Sequence, residues 1–216
     1  MLPEREQERV KRKRLHDDKK TQLATSLLQR YYIHATTGEE WDKIHVGRTP
    51  HGKPIFGDLN YNVSKADGVV VLVGYSNRVG IDIIANNKNQ FNASDLKGLF
   101  SARELGLSSG EKPIVEERHL VGWAYKEAYM KFIGVPDWDS ITSYEFLEVN
   151  PPRPAEVFKE CTVFIRGVRQ ECYTEVHNID DSHFVAIYAM NAPEKAEEKD
   201  FRRLQLQEII PTIQEI

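Results

Sequence analysis

Apolar residues recur at helical spacing between positions 18 and 35, where Leu23, Leu27, Leu28, Tyr31 and Tyr32 share one face. Asp17 or Asp18 stands where a helix start is capped, and Thr36-Thr37-Gly38 marks its end. Residues 4–14 ahead of it are charged and helix-compatible, while Gly47 to Asp58, rich in glycine and proline, reads as loop. Val69 to Val73 is a continuous apolar run and predicts a buried strand, and Gly80 to Ile84 predicts a second, short one. Helical patterns follow over 93–107 and 117–134, then strand-like runs over 143–149, 162–166, 169–177 and 183–190. Pro151-Pro152-Arg153-Pro154 is a rigid break, and Arg166-Gly167 reads as a hairpin turn. From Glu197 on, Leu204, Leu206, Ile209 and Ile210 sit among charges, as an appended helix or loose chain. Strands cluster and helices cluster, so the expected class is α+β with antiparallel sheets.

Composition narrows the function classes. Apolar residues at 40% and charged residues at 29% are ordinary for a packed globular chain. The net charge of −4 does not point to nucleic acid, and the basic run Lys11-Arg12-Lys13-Arg14 sits beside acids as a solvated helix face does. No apolar run approaches the roughly 20 residues of a membrane span, and no signal-peptide core opens the chain. Cys161 and Cys172 are expected as free thiols, which makes the cytoplasm the default compartment.

Two fragments carry candidate chemistry. In Gly80-Ile81-Asp82-Ile83, a carboxylate framed by isoleucines needs a compensating cation if buried; the bland alternative is an aspartate at a strand end. In the segment from Trp123 to Lys131, helical spacing puts Trp123, Glu127 and Lys131 on one stripe beside an apolar stripe of Val121, Ala124, Ala128 and Phe132. Alone, that acid and base read as a surface helix pair.

Together the fragments resemble the two signature motifs of the group II, surfactin-synthetase-type, 4′-phosphopantetheinyl transferases: G-[IV]-D at Gly80-Ile81-Asp82, and W-x-x-K-E-[AS]-x-x-K from Trp123 to Lys131. The likeness extends to the loop Arg48-Thr49-Pro50-His51-Gly52-Lys53-Pro54, to Tyr61-Asn62-Val63-Ser64, to Phe100-Ser101-Ala102-Arg103-Glu104, and to Ile179 through Ala186, which looks like the closing strand of the aminoadipate-semialdehyde-dehydrogenase-type members. It runs from about residue 3 to residue 190 and leaves the tail uncovered.

The resemblance implies two similar α+β halves about a pseudo-twofold axis, 1–79 and 80–192, with 193–216 as an extension and coenzyme A in the cleft. It implies transfer of phosphopantetheine from coenzyme A to a serine of an apo acyl or peptidyl carrier protein by a monomeric enzyme. Asp82 and Glu127 would hold Mg2+ on the pyrophosphate, with Glu127 as candidate base and Lys131 against the pyrophosphate charge. Lys53 and Pro54 would border the adenine; Arg9, Thr21 and Ser64 would lie near the 3′-phosphate; Lys20 and Arg48 would add positive charge. Three features depart from the family pattern. Ile84 stands where many members carry a third acid. Lys65 replaces a histidine, keeping a charge suited to phosphate but not a neutral imidazole's chemistry. The chain opens almost at the first helical region, so the first half-sheet is expected to be a strand short. A family member that binds coenzyme A or carrier without catalysis is the competing expectation.

Overall fold

The structure, a computed structural model, describes residues 2–107, 114–159, 161–192, 201–205, 208 and 209. In chain order the elements are α1 (Glu4–Lys11), α2 (His16–Thr37), β1 (Gly47–Arg48), β2 (Pro54–Ile55), β3 (Asn60–Ala66), β4 (Val69–Tyr75) and β5 (Val79–Ala85). There follow α3 (Ala93–Leu99), α4 (Ala102–Leu105), α5 (Glu117–Ile133), β6 (Tyr144–Leu147), β7 (Val157–Lys159), β8 (Thr162–Ile165), β9 (Val168–Arg169), β10 (Tyr173–Asn178) and β11 (His183–Ala189). The architecture is α+β, and every strand pairing is antiparallel. The largest sheet has the order β5-β11-β10-β7, with smaller ladders β3-β4, β6-β8-β9 and β1-β2.

Strand alternation fixes the two faces of β5. Val79, Ile81 and Ile83 pack with Val185 and Ile187 of β11 and with Val71 of β4. Gly80, Asp82 and Ile84 take the other parity, and Ile84 joins the core built from α5, β6, β8, β10 and β11. Helix α5 lies across β5 and β11. Its approach is closest at Gly80, where a Cβ would collide with the Ala128 carbonyl and the Phe132 amide of the helix. Only glycine permits this contact, which sets the height of α5 above the sheet.

Several expectations are corrected. In the 47–58 loop, Gly47 pairs with Ile55 and Arg48 with Pro54, closing a small hairpin. The 93–107 helix is two short helices broken at Phe100-Ser101, because Ser101 starts a new capping box with Glu104. The 169–177 run divides into β9 and β10, and Val69–Val73 is buried at Val71 alone. Helix α2 starts after Leu15 with no side-chain cap; Asp17 and Asp18 lie in its first turn, where their charge suits the helix dipole. Its buried face also differs. Leu23 is exposed, while Arg30 is fully buried and donates to Glu6 at 2.8 Å and to the carbonyls of Trp41 and Ile44 at 2.7 Å each. That bonded pair puts a charged group on the core side of the helix, on the same stripe as Leu23 two turns earlier.

The hairpins at Asp67-Gly68 and Arg166-Gly167 each put two residues at positive φ, the geometry that suits the right-handed twist of paired strands. Both cysteines are free. In the tail, Phe201 packs edge-on to His177 with ring centroids 4.7 Å apart, and Ile209 is buried with Leu2, Leu27 and Trp41. Leu206 and Ile210 lie outside the described residues.

Gly80→Ala should test the helix–sheet contact. Overpacking of this kind costs about 1–3 kcal/mol, and the colliding atoms are backbone. The expected result is a lower urea midpoint with an unchanged m value; an unaltered midpoint would show that α5 can lift without loss.

Candidate functional site

A cavity of about 350 Å³ opens between the β1–β2 hairpin, β3, α2, the C-terminal half of α5 and the loop after it. Seven of the residues selected from sequence line it: Arg48, Lys53, Pro54, Ser64, Lys65, Glu127 and Lys131. Asp82 lies behind this wall, 7% exposed. The Ser64 hydroxyl donates to its Oδ1 at 2.8 Å, and Lys131 Nζ donates to the same oxygen at 2.5 Å and to Ser64 Oγ at 2.6 Å. Three side chains from β3, β5 and α5 thus meet at one point. Arg9 and Thr21 are not on the cavity wall. The Thr21 hydroxyl donates to the Asp17 carbonyl one turn back, and Arg9 reaches the site only through its charge on Arg48. Lys20 pairs on the surface with Asp17.

The charges are sorted by element. Arg48, Lys53 and Lys65 come from the hairpin and β3; Asp82 and Glu127 come from β5 and α5. Each of the three cations is held below its ordinary pKa, first by desolvation at the wall and then by a like-charged neighbour: Arg9 for Arg48, Arg78 for Lys53, which falls to about 8, and Lys13 for Lys65. Burial pushes the Asp82 carboxyl up against the pull of Lys131. Burial, then the charge of Asp82, raises Glu127 to about 7. The cationic side would be relieved by a polyanion, and the carboxylate side by a cation.

A family model described as "4'-phosphopantetheinyl transferase superfamily" matches residues 78–187, just over half of the chain, and one described as "4'-phosphopantetheinyl transferase, N-terminal" matches residues 1–77. The chain belongs to the 4′-phosphopantetheinyl transferase superfamily. It is 27% identical to an L-aminoadipate-semialdehyde dehydrogenase-phosphopantetheinyl transferase of Pongo abelii and 26% identical to that of Homo sapiens, in each case over 90% of this chain and 69% of the relative. A 4'-phosphopantetheinyl transferase of Aureobasidium melanogenum is 31% identical over 45% of the chain and 35% of its own length. A transferase of this superfamily takes coenzyme A as substrate and acts on carrier protein domains.

In this phosphopantetheinyl transferase the motif residues divide between chemistry and support. Lys126 of the helical motif is fully buried and donates at 2.9 Å both to Glu104 Oε2 and to the Ile141 carbonyl. Glu104 also accepts from the amides of Ser101 and Phe146. Burial lowers the lysine's pKa and raises the acid's, each opposed by the other's charge. Breaking such a pair by removing one partner costs about 3–5 kcal/mol. Lys53 reaches across the molecule to donate to the Lys131 carbonyl at 2.8 Å, and Asn62 Nδ2 donates to the Val79 carbonyl at 3.2 Å and the Lys131 carbonyl at 3.3 Å. These two residues seat the first-half strands on the end of α5. In the sequence Asn62 stands only as part of the Tyr61-Asn62-Val63-Ser64 motif, and its bonding role depends on partners distant along the chain. Trp138 and Gln22 also line the cavity, and nothing in the linear pattern marked them.

Asp82 and Glu127 are the residues that could hold a hard divalent cation: burial disfavours the charge of both, Asp82 raises the pKa of Glu127, and Asp82 is bonded to Lys131. Ile84, at the position of the family's third acid, is buried in the α5 core.

The raised Glu127 sets a pH dependence with a definite sign. An acid that holds its proton more tightly in the folded state stabilises fully below its unfolded pKa and loses that contribution as pH rises. In metal-free protein the Glu127 contribution should therefore fall between about pH 4.5, its ordinary value, and about pH 7. Thermal melts across that window should flatten in Glu127→Gln relative to the parent; parallel curves would show that Glu127 does not titrate there.

Proposed function

We propose that this chain transfers phosphopantetheine from coenzyme A to a serine hydroxyl of a carrier domain, using Mg2+ held by Asp82 and Glu127. The supporting observation is the meeting of Ser64, Asp82 and Lys131 beside Glu127, under a wall carrying Arg48, Lys53 and Lys65. Bound there, the ion would neutralise charge on the pyrophosphate as the nucleotide leaves. The cationic wall takes the phosphates by charge-assisted hydrogen bonds. Glu127, or a water it holds, accepts the serine proton. The serine oxygen forms a bond to the phosphorus bearing pantetheine, the bond from that phosphorus to the nucleotide oxygen breaks, and 3′,5′-ADP departs. Lys131 steadies the charge on the pyrophosphate.

The relatives' names point to a carrier domain of the aminoadipate-semialdehyde dehydrogenase type as the acceptor. A cavity complete within one chain supports a monomer, and two free thiols support a cytoplasmic location.

Incubation with coenzyme A, Mg2+ and a panel of apo carrier domains should add one phosphopantetheine mass and release 3′,5′-ADP in equal amount. Glu127→Gln should abolish the transfer while metal-free coenzyme A binding survives, because the lost interaction develops with the leaving charge. A folded parent that binds coenzyme A but modifies no carrier would turn the reading to a non-catalytic family member.

Lys65 carries a second test. Lys65→Ala should weaken coenzyme A binding by about 1–3 kcal/mol, the range for a charge-assisted contact, and Lys65→His should retain it. Equal effects of Lys65→Ala on coenzyme A and its 3′-dephospho form, measured by calorimetry, would remove Lys65 from the 3′-phosphate.

A further inference from the structure

The cavity has a second chemical character that the charges do not explain. Met130 and the loop residues Val135, Pro136 and Trp138 make an apolar stretch of its lining. Val135 is 44% exposed and Trp138 49% exposed, so water meets large apolar surface beside Glu127. The loop is held firmly for an exposed segment. Gly134 ends α5 in the left-handed conformation with φ 78°. Asp137 accepts from the Tyr144 hydroxyl and, at 3.1 Å, from Arg166 Nη2. Trp138 stacks on Trp123 with centroids 5.8 Å apart and planes 21° apart, and Trp123 in turn meets the edge of Phe91. The one acid of the loop that contacts another element is thus paired, and the indole is presented in a fixed orientation. A rigid, half-exposed tryptophan is the kind of residue that anchors an interface.

We propose that Trp138, with Val135, is the docking contact for the acceptor: it receives an apolar side chain next to the modified serine of the carrier domain. The inference rests on the transferase reading above. Its occupant follows from the sorting of the cavity. The nucleotide's phosphates belong with Arg48, Lys53 and Lys65 on the hairpin and β3, whereas the serine must arrive at Glu127 on α5, whose flank is this apolar loop. Glu127, Met130 and Trp138 line the same cavity, and Trp138 stacks on Trp123, one helical turn before Glu127. Trp138 acts in positioning and specificity and takes no part in proton transfer.

Steady-state kinetics of the full chain, with apo carrier and coenzyme A varied separately, test this. Trp138→Ala should raise KM for the carrier about tenfold, as expected for loss of an interface anchor, with kcat and KM for coenzyme A unchanged. Trp138→Phe should restore most of the affinity, and Val135→Ser, which leaves the stacked rings intact, should shift carrier KM in the same direction. A normal carrier KM in both Trp138→Ala and Val135→Ser overturns the proposal. So does a rise in KM for coenzyme A alone, which would give the apolar wall to the pantetheine arm. A parent that binds coenzyme A but modifies no carrier overturns the transferase reading and this inference with it; a working parent with unaffected variants overturns only the inference.

Discussion

Helix α5 rests on β5 at a position where no side chain fits. With Gly80 beneath the Ala128 carbonyl and the Phe132 amide, helix and strand approach to backbone contact. Residues 82 and 84 follow on the same side of the strand, so the carboxylate of Asp82 enters the layer between sheet and helix. Lys131, one turn beyond Glu127, then reaches it directly. The glycine and aspartate of one motif and the glutamate and lysine of the other are parts of a single packing arrangement, and their joint occurrence follows from that geometry.

That arrangement places charge where a low dielectric makes it costly. Asp82 is compensated by Lys131 and Ser64, and Lys126 by Glu104 and a carbonyl; each charge keeps its partners with it. The two pairs differ in access. Lys126 and Glu104 are sealed, and serve to fix α5 against α4 and β6. Lys131 is open enough, at 29% side-chain exposure, to meet a ligand. The same helix thus carries, five residues apart and on different faces, a sealed ion pair and one open to a ligand.

The strand pattern and the two motifs were legible because both depend on local spacing: period-two alternation at 79–85 and helical repeat at 117–133. Where the sequence reading failed, distant partners decided. Nothing near Arg30 announces that Glu6, Trp41 and Ile44 will satisfy it in the core, and the apolar face assigned to α2 included Leu23, which is exposed. The role of Lys126 was hidden for the same reason, since Glu104 and Ile141 approach it from separate segments. Arg48, Lys53, Ser64 and Lys65 line the cavity, while Arg9 and Thr21 do not, the Thr21 hydroxyl being turned back to the Asp17 carbonyl. Residues such as Trp138 carry no periodic signature, and only the folded shape exposes them.

The cluster of Leu2, Leu27, Trp41 and Ile209 joins almost the first described residue to the last. During synthesis the opening helices emerge long before their apolar partner exists. The corner around Leu27 and Trp41 gains its contact with Ile209 only once nearly all of the described chain has been made. The side of Leu27 and Trp41 that Ile209 covers is open to water until that long-range contact forms.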